Sequence, residues 1–251
     1  MSDTFNWCGY NWKCSMDGGR IIHPGQPYMW YDSENIMLDE NNILNLTIEN
    51  KPKEIKHWDG TVYHPTLACG TMRSTENFDY GIFSAEIMCP RGYNLWPSFW
   101  LTGSGNWPPE IDIMEAWSEN NSYFRLFIPQ PPYLSPSWKT TNNVHYNDDN
   151  MNKTSVGSRN ISVCKSAKDP AENFIKYEVI WKQDQIIFKV SGKEVRKVGK
   201  DVCRKLTENI KNKEKGYKMN VIFNLWCEDP GKYNVKLLSP MKIKNFIYHE
   251  I

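Results

Sequence analysis

The chain has 251 residues, enough to bury a large core as one unit, and its formal net charge is only +1. This balance gives no electrostatic case for a nucleic-acid or membrane partner, and no apolar run approaches the length of a membrane span. Aromatic residues make up 14% of the sequence, with 11 tryptophans, which is typical of β-sandwich cores and of clefts that bind flat apolar ring faces.

The N-terminal residues Met1–Phe5 have neither a basic region nor an apolar core, so they do not predict a secretory signal. The seven cysteines are scattered without Cys-x-x-Cys spacing, which argues against a zinc site. Cys8 and Cys14 could form a disulfide in an oxidising compartment. The preferred interpretation is that the cysteines serve as small, buried, apolar residues.

Alternation of apolar and polar residues predicts β-strands along most of the chain, for example over residues 44–48 and 83–87. Short strands separated by Gly, Pro and Asn clusters predict an all-β fold, a two-sheet antiparallel sandwich. We expect residues 76–116 to form neighbouring strands of one sheet. No internal repeat or linker divides the sequence, so a single domain over residues 1–251 is expected.

Three carboxylates, Glu110, Asp112 and Glu115, fall within six residues of a segment that otherwise predicts a buried strand. Carboxylates cost free energy when they leave water unpaired, so the pattern indicates a site. Glu110 and Asp112 share a strand face, and Glu115 joins them only if one extra residue bulges around Ile113–Met114. Such a row suits glycoside hydrolysis with retention, with one carboxylate as nucleophile and one as proton donor. An acidic strand edge, or a cation site made of the same groups, is the alternative.

The second half of the chain has weaker signals. Residues 129–160 are polar and rich in proline, and they predict long surface loops that shape specificity. Residues 186–190 predict a strand that leads into a hairpin turn at residues 191–193. Apolar residues recur at four-residue spacing over 202–210, which predicts a short amphipathic helix ending near Gly216.

Residues 80–115 resemble glycoside hydrolase family 16. A Tyr-Gly strand at residues 80–81 leads to Leu-Trp-Pro-Ser-Phe-Trp at 95–100 and then to Glu-Ile-Asp-Ile-Met-Glu at 110–115, in the family's order. The motif here has the longer Glu-x-Asp-x-x-Glu form, which resembles the motif of laminarinases, agarases, carrageenases and porphyranases. The shorter Glu-x-Asp-x-Glu form is typical of lichenases and xyloglucan transferases. The resemblance implies a β-jelly roll with a concave substrate cleft.

The resemblance implies that Glu110 is the nucleophile, Asp112 the assisting carboxylate and Glu115 the acid/base. Further substrate-binding candidates lie on strands or loops expected near the cleft: Trp107, His145, Trp96, Trp100, Trp117, Asn224, Trp226 and Arg73. Each has a structural alternative. For the tryptophans it is burial in the core, for the histidine a structural role, and for the arginine a surface salt bridge.

The function implied is retaining, endo-acting hydrolysis of a β-linked polysaccharide, either a β-glucan such as laminarin or a galactan. A transglycosylase of the same family and a non-catalytic glycan-binding sandwich are the alternatives. The expected partner is a polysaccharide or oligosaccharide bound by a monomer. No catalytic metal or required cofactor is expected, although the resemblance allows a structural calcium.

Two departures from the family leave the choice between glucan and galactan open. Pro109 replaces a frequent glycine, and residues 224–228 replace the Asn-Leu-Ala-x-Gly-Gly pattern of many laminarinases. Both departures lie at expected cleft positions. Since polysaccharides are mostly outside cells, an extracellular or particle-associated location is expected despite the lack of a predicted signal.

Overall fold

The computed structural model describes residues 4–16, 20–23, 25–57, 59–103, 107–117, 139–162, 169–209 and 218–251. The first strands are β1 (Thr4–Trp7), β2 (Tyr10–Lys13), β3 (Met29–Tyr31), β4 (Ile36–Leu38), β5 (Leu44–Leu46), β6 (Ile48–Asn50), β7 (Ile55–Lys56), β8 (Val62–Tyr63), β9 (Leu67–Cys69), β10 (Thr71–Ser74) and β11 (Gly81–Met88). They are followed by β12 (Gly92–Tyr93), β13 (Leu95–Gly103), β14 (Glu110–Trp117), β15 (Lys139–Asn147), β16 (Lys153–Ser162), β17 (Ile175–Trp181), β18 (Ile186–Val190), β19 (Lys193–Val198), β20 (Met219–Cys227), β21 (Lys236–Leu237) and β22 (Met241–Glu250). A 3₁₀-helix covers Ser33–Asn35, and the α-helix α1 covers Lys200–Glu208.

Two large antiparallel sheets form a sandwich, which confirms the predicted fold class. The eight-stranded sheet has the order β1-β2-β10-β20-β13-β14-β15-β16, and the seven-stranded sheet has the order β19-β18-β17-β11-β22-β5-β4. Of the smaller sheets, β3-β9-β6 contains a parallel pair, β3 with β9. The strand β14 lies inside the eight-stranded sheet, between β13 and β15.

Alternate residues of both large sheets meet in one apolar core. Phe83 and Val179 come from the seven-stranded sheet, and Phe99 and Phe223 from the eight-stranded sheet, and all four side chains are fully buried. Phe99 and Phe223 are cross-strand neighbours whose rings stack with centroids 4.5 Å apart. The core therefore covers one face of the eight-stranded sheet, and the opposite face of that sheet can form a site.

Residues 76–116 do not form neighbouring strands of one sheet, so that prediction is wrong. β11 pairs with β17 and β22 in the seven-stranded sheet, whereas β13 and β14 pair in the eight-stranded sheet. The chain leaves β11 after Met88, and Pro90 follows at once. Proline has no N–H to continue a strand ladder, which suits a crossing between layers.

The glycine of the Tyr-Gly pair permits a close approach of two strands. A Cβ on Gly81 would lie 2.4 Å from the ring of Tyr248 and 2.7 Å from the carbonyl oxygen of His249. Both residues belong to β22, the neighbour of β11. Any side chain at this position would therefore push β22 away.

Predictions for the second half of the chain have mixed outcomes. The hairpin is confirmed, with Ser191 and Gly192 at φ 49° and 77°, the left-handed conformations of a tight turn. The helix is confirmed, but α1 ends at Glu208 and the predicted end near Gly216 lies outside the described residues. Long loops over residues 129–160 are wrong for β15 and β16, and residues 129–138 lie outside the described part of the chain.

Cysteines in the described segments are free thiols. Cys69, Cys89, Cys203 and Cys227 are buried, as predicted for small apolar residues, and Cys8 and Cys14 are partly buried without forming a disulfide. Within these same segments, no helix combines the length and apolar character needed to cross a membrane.

Candidate active site

A bulge in β14 sets the direction of its carboxylates. Asp112 pairs with Asn143 of β15 and Glu115 pairs with Thr141, so the two residues 113–114 lie opposite a single residue of β15. The pairing of β14 with β13 also skips one residue of β14 at this place. The predicted bulge is therefore confirmed. An extra residue in one strand reverses the facing of everything beyond it.

Because of the bulge, Glu110, Asp112 and Glu115 all line one cleft of about 1210 Å³. The intervening Ile111 and Ile113 are buried in the core. Asp112 is only 3% exposed, and the two glutamates are partly exposed at the cleft surface. The three carboxylates thus form a row on one face of the sheet.

Each glutamate accepts a hydrogen bond from one indole. Trp107 Nε1 donates to Glu110 Oε2 at 3.1 Å, and Trp96 Nε1 donates to Glu115 Oε1 at 3.0 Å. Trp96 lies on β13, the strand beside β14, and Trp107 precedes β14. Each indole therefore fixes one oxygen of its carboxylate.

His145 on β15 lies between the first two carboxylates. Its Nε2 is 3.4 Å from Glu110 Oε1 and 3.2 Å from Asp112 Oδ2. The side-chain amide nitrogen of Asn143 lies 3.0 Å from the same Nε2. The predicted contact of His145 with the carboxylates is therefore present, because β15 is the direct neighbour of β14.

Burial raises the pKa of all three carboxyl groups. The pKa of Glu110 lies well above its ordinary value through burial and the neighbouring Asp112 charge. Burial and the charge of Glu115 raise the pKa of Asp112 well above its ordinary value in the same way. Burial also raises the pKa of Glu115, while the indole N–H of Trp96 opposes the rise by stabilising the carboxylate. A raised pKa suits a carboxyl group that gives a proton near neutral pH, whereas a group that attacks as a carboxylate must lose its proton, so the three neighbouring groups cannot titrate independently.

We predict that Asp112→Asn stabilises the protein at neutral pH. A pKa that is higher in the folded chain than in the unfolded chain makes the folded state hold more protons between the two values, so stability falls as pH rises through that range. Asparagine cannot ionise, so the variant loses no stability through this group as pH rises, and its side chain no longer repels the charge of Glu115. Thermal unfolding at pH 7 should show a Tm increase of at least about 2–4 °C, which is roughly 1 kcal/mol for a chain of this size. The increase should shrink at about pH 3.5, below the ordinary carboxyl pKa. An equal change at both pH values would contradict the prediction.

Most of the predicted binding residues line the cleft. These are Trp96, Trp100, Trp107, Trp117, His145, Asn224 and Trp226. Arg73 is not among the described residues that line it. Its Nη1 donates to Asn220 Oδ1 at 3.0 Å, so the proposed contact of Arg73 with substrate has no support.

The cleft tryptophans are held by contacts with one another and with polar groups. Trp96 and Trp117 stack with ring centroids 5.9 Å apart and an interplanar angle of 24°. Trp100 Nε1 donates to Asn224 Oδ1 at 2.7 Å. Trp100 is only 8% exposed, as its core alternative predicts, yet it still reaches the cleft wall.

Trp107 offers the most accessible aromatic surface in the described cleft, with 47% of the residue exposed. Its ring centroid lies 5.6 Å from that of His145, and the ammonium of Lys153 lies 4.8 Å from it. An exposed ring beside Glu110 offers a flat apolar face to a ligand in the cleft.

We predict that Trp107→Ala lowers kcat/KM by about 5–150-fold, the equivalent of roughly 1–3 kcal/mol for stacking on an aromatic ring. Initial rates over a range of polymer concentrations give this value. Trp107→Phe is the matched variant, because it keeps a ring and removes the N–H to Glu110. Leu238→Ala, at an exposed position, is the surface control. Equal kinetics for Trp107→Ala and Leu238→Ala would contradict the prediction.

Sequence reasoning missed the part of the cleft that the N-terminal region supplies. Met16, Arg20, His23 and Gln26 line the cleft, although none of them lies on a strand. His23 lies with its ring centroid 5.9 Å from Trp226, and burial together with the Arg20 charge lowers the pKa of His23. A single histidine and a single arginine outside any strand give no sequence pattern that would predict their place in the cleft wall.

Two groups of side chains could hold a metal ion within the described segments. Glu110, Asp112 and His145 offer ligand atoms within 4.8 Å of one another, which keeps the cation alternative open for the site itself. The second group is Asp32, Glu34 and Glu49. It does not fit a structural calcium, because the ammonium of Lys51 already supplies the cation, 2.6 Å from Asp32 Oδ2.

Comparisons with known proteins agree with this geometry. The chain is 28% identical over 209 residues to the endo-1,3-1,4-beta-glycanase ExsH of Rhizobium meliloti (strain 1021), an alignment that covers 75% of the chain and 39% of that relative. The chain thus spans well under half of the relative's length. It also resembles a structure from work on endo-acting O-glycanases that the human gut microbiota express to initiate mucin breakdown (TM-score 0.65, 20% identity, 95% and 84% of the two chains).

A second similar structure is a Bacteroides ovatus family 16 protein for mixed-linkage glucan, in complex with a product. It matches with a TM-score of 0.61 and 18% identity over 89% of this chain and 90% of that one. The sequence profile described as glycosyl hydrolases family 16 matches residues 25–236, most of the chain. The carboxylate row, the cleft and this match over both sheets place the chain in glycosyl hydrolases family 16.

Proposed function

We propose that the protein is a retaining, endo-acting glycosidase that hydrolyses a β-linked polysaccharide. The observation that carries the proposal is the bulge in β14, which brings Glu110, Asp112 and Glu115 onto one cleft face. Retaining glycosidases need two carboxyl groups on opposite sides of the cleaved bond, one charged and one protonated. The surrounding indoles supply ring faces for sugars.

In the proposed mechanism, Glu110 attacks the anomeric carbon while Glu115 gives its proton to the departing glycosidic oxygen. The bond from carbon to that oxygen breaks, and a glycosyl ester forms on Glu110. Glu115, now a carboxylate, removes a proton from water, and the water oxygen displaces Glu110 from the same face of the sugar as the departed group. Asp112 lies between them and raises the pKa of Glu110 when it is charged. Repulsion within the row favours a shared proton, and because Glu110 attacks as a carboxylate, that proton lies on Glu115 at this step.

The polymer to test first is a β-glucan, since the similar Rhizobium meliloti protein is an endo-1,3-1,4-beta-glycanase and the similar Bacteroides ovatus structure concerns mixed-linkage glucan. A galactan is the alternative, because the departures at Pro109 and residues 224–228 lie in or beside the cleft. We further propose that residues 1–251 act as one catalytic domain and as a monomer.

Incubation with laminarin, mixed-linkage glucan, agarose, porphyran, carrageenan and mucin tests the proposal. We expect new reducing ends from one polymer, with oligosaccharides of several lengths early in the reaction, as internal cleavage requires. Products longer than the substrate would instead indicate transglycosylation.

EDTA should leave the rate unchanged if the carboxylates act directly, whereas loss of activity and its return with a divalent cation would favour the metal alternative. If the protein binds a polymer and cleaves none, its function is the non-catalytic glycan binding named as the alternative.

A further inference from the structure

Asn142 of β15 is a buried polar residue that also contributes to the wall of the cleft. It is 2% exposed, and its neighbours on the same strand face, Thr140 and Val144, are also buried. The cleft-facing residues of β15, such as His145, alternate with this set. A buried amide costs free energy unless its polar atoms are bonded, so its partners indicate why it is there.

The side chain of Asn142 reaches the bulge of β14. Its Nδ2 donates to the carbonyl oxygen of Ile113 at 3.5 Å, and Ile113 is one of the two residues that lie opposite Asn142. A bulge interrupts the regular ladder and leaves backbone groups without strand partners. The amide of Asn142 supplies a donor at the place where the ladder is interrupted.

Arg196 holds the backbone of Asn142 from the other sheet. It lies on β19, and its Nη1 and Nη2 donate to the carbonyl oxygens of Asn142 and Val156 at 2.8 and 2.6 Å. The pairing of β15 with β16 shifts between Thr140 and Asn142, which disturbs the ladder beside the Asn142 carbonyl. Burial lowers the pKa of Arg196, so its place between the sheets has an electrostatic cost that these two bonds offset.

We propose that Asn142, held by Arg196, is a positioning residue for Glu115, an inference that rests on the proposed acid/base role of Glu115. The contacts form a path from the seven-stranded sheet to the bulge: Arg196 to the Asn142 backbone, and the Asn142 amide to Ile113. The bulge alone turns Glu115 into the cleft. Asn142 therefore acts on the direction of the acid/base, and at 2% exposure it offers a substrate almost no surface.

The test is Asn142→Leu, which keeps the approximate size and removes the donor. We expect kcat on the cleaved polymer to fall by about 10–100-fold with little change in KM, because a small displacement of a catalytic group has an effect of that size. The decisive measurement uses a dinitrophenyl β-glycoside of the released oligosaccharide, with and without azide. That leaving group needs no acid, and azide can replace the base-activated water once the Glu115 carboxyl group is removed. If Asn142 acts only through that carboxyl group, Asn142→Leu should add no further loss to Glu115→Ala, and azide should restore the single and the double variant equally.

Thr140→Val is the matched control, because it changes a buried polar residue on the same face of the same strand and should keep full activity. Wild-type kcat for Asn142→Leu, or a further loss when it is added to Glu115→Ala, overturns the inference while the proposed function stands on the rescue of Glu115→Ala. Failure of azide with Glu115→Ala overturns the proposed function itself. If Asn142→Leu does not fold, Arg196→Met carries the same test, with a smaller loss of kcat expected and no further loss when it is added to Glu115→Ala.

Discussion

Glu110→Gln is expected to fold normally and to lose at least about 10⁴-fold in kcat, the scale on which removal of a nucleophile acts. Glutamine has nearly the shape of glutamate, and its amide oxygen can still accept the indole N–H of Trp107. The amide cannot attack the anomeric carbon, so no glycosyl ester forms. Release of reducing ends measures the loss, and the circular dichroism spectrum and Tm measure the fold.

Glu194→Gln is the matched control, since Glu194 lies exposed on β19. It should keep wild-type activity. Residual turnover of Glu110→Gln within about tenfold of wild type would contradict the assignment of the nucleophile, because general electrostatic effects are smaller than covalent catalysis. Fluorinated substrate analogues that trap an ester should label wild type and leave Glu110→Gln unlabelled in mass spectrometry.

Glu115→Ala is expected to lower kcat on a natural polymer by about 10²–10⁴-fold, the usual contribution of a general acid/base. A dinitrophenyl glycoside should lose less, because its leaving group departs without a proton. Azide should raise its turnover further by entering the space of the removed carboxyl group and attacking the glycosyl ester. Chromatography and proton NMR of the product should identify a β-glycosyl azide.

The configuration of that azide decides between two mechanisms. A β-azide requires two displacements at the anomeric carbon and hence a covalent intermediate, as retention demands. An α-azide, or an initial α-anomer from the wild-type protein, would mean inversion and would remove the assigned roles. Glu110→Gln in the same assay should show no response to azide, because it has no ester for azide to attack.

The sequence predicted the catalytic strand in unusual detail because two constraints met there. The carboxylates had to share a face for any common role, and the period of a strand is two residues, so an extra residue had to lie between Asp112 and Glu115. Both neighbours of β14 confirm this shift. The sequence also predicted that Trp96 and Trp107 lie near the cleft. Only the structure shows that their indoles donate hydrogen bonds to the two glutamates.

Other parts of the fold follow from contacts that a sequence does not display. β11 and β13 both have the composition of a buried strand, and nothing in either sequence says which of the two layers the strand joins. β15 looked like a loop because its core face carries Thr140 and Asn142 beside Val144, so the apolar signal is short. The N-terminal cleft residues lie in an irregular segment, where neither period of secondary structure applies.

The bulge also changes how insertions and deletions act on this strand. Loss of one residue from a regular strand turns every later side chain to the wrong face. Loss of one residue between Asp112 and Glu115 would instead remove the bulge and leave all three carboxylates in phase on a regular strand. The result would read Glu-x-Asp-x-Glu, the shorter form of the motif. The two forms are therefore one deletion apart, and that deletion keeps all three acids on the cleft face.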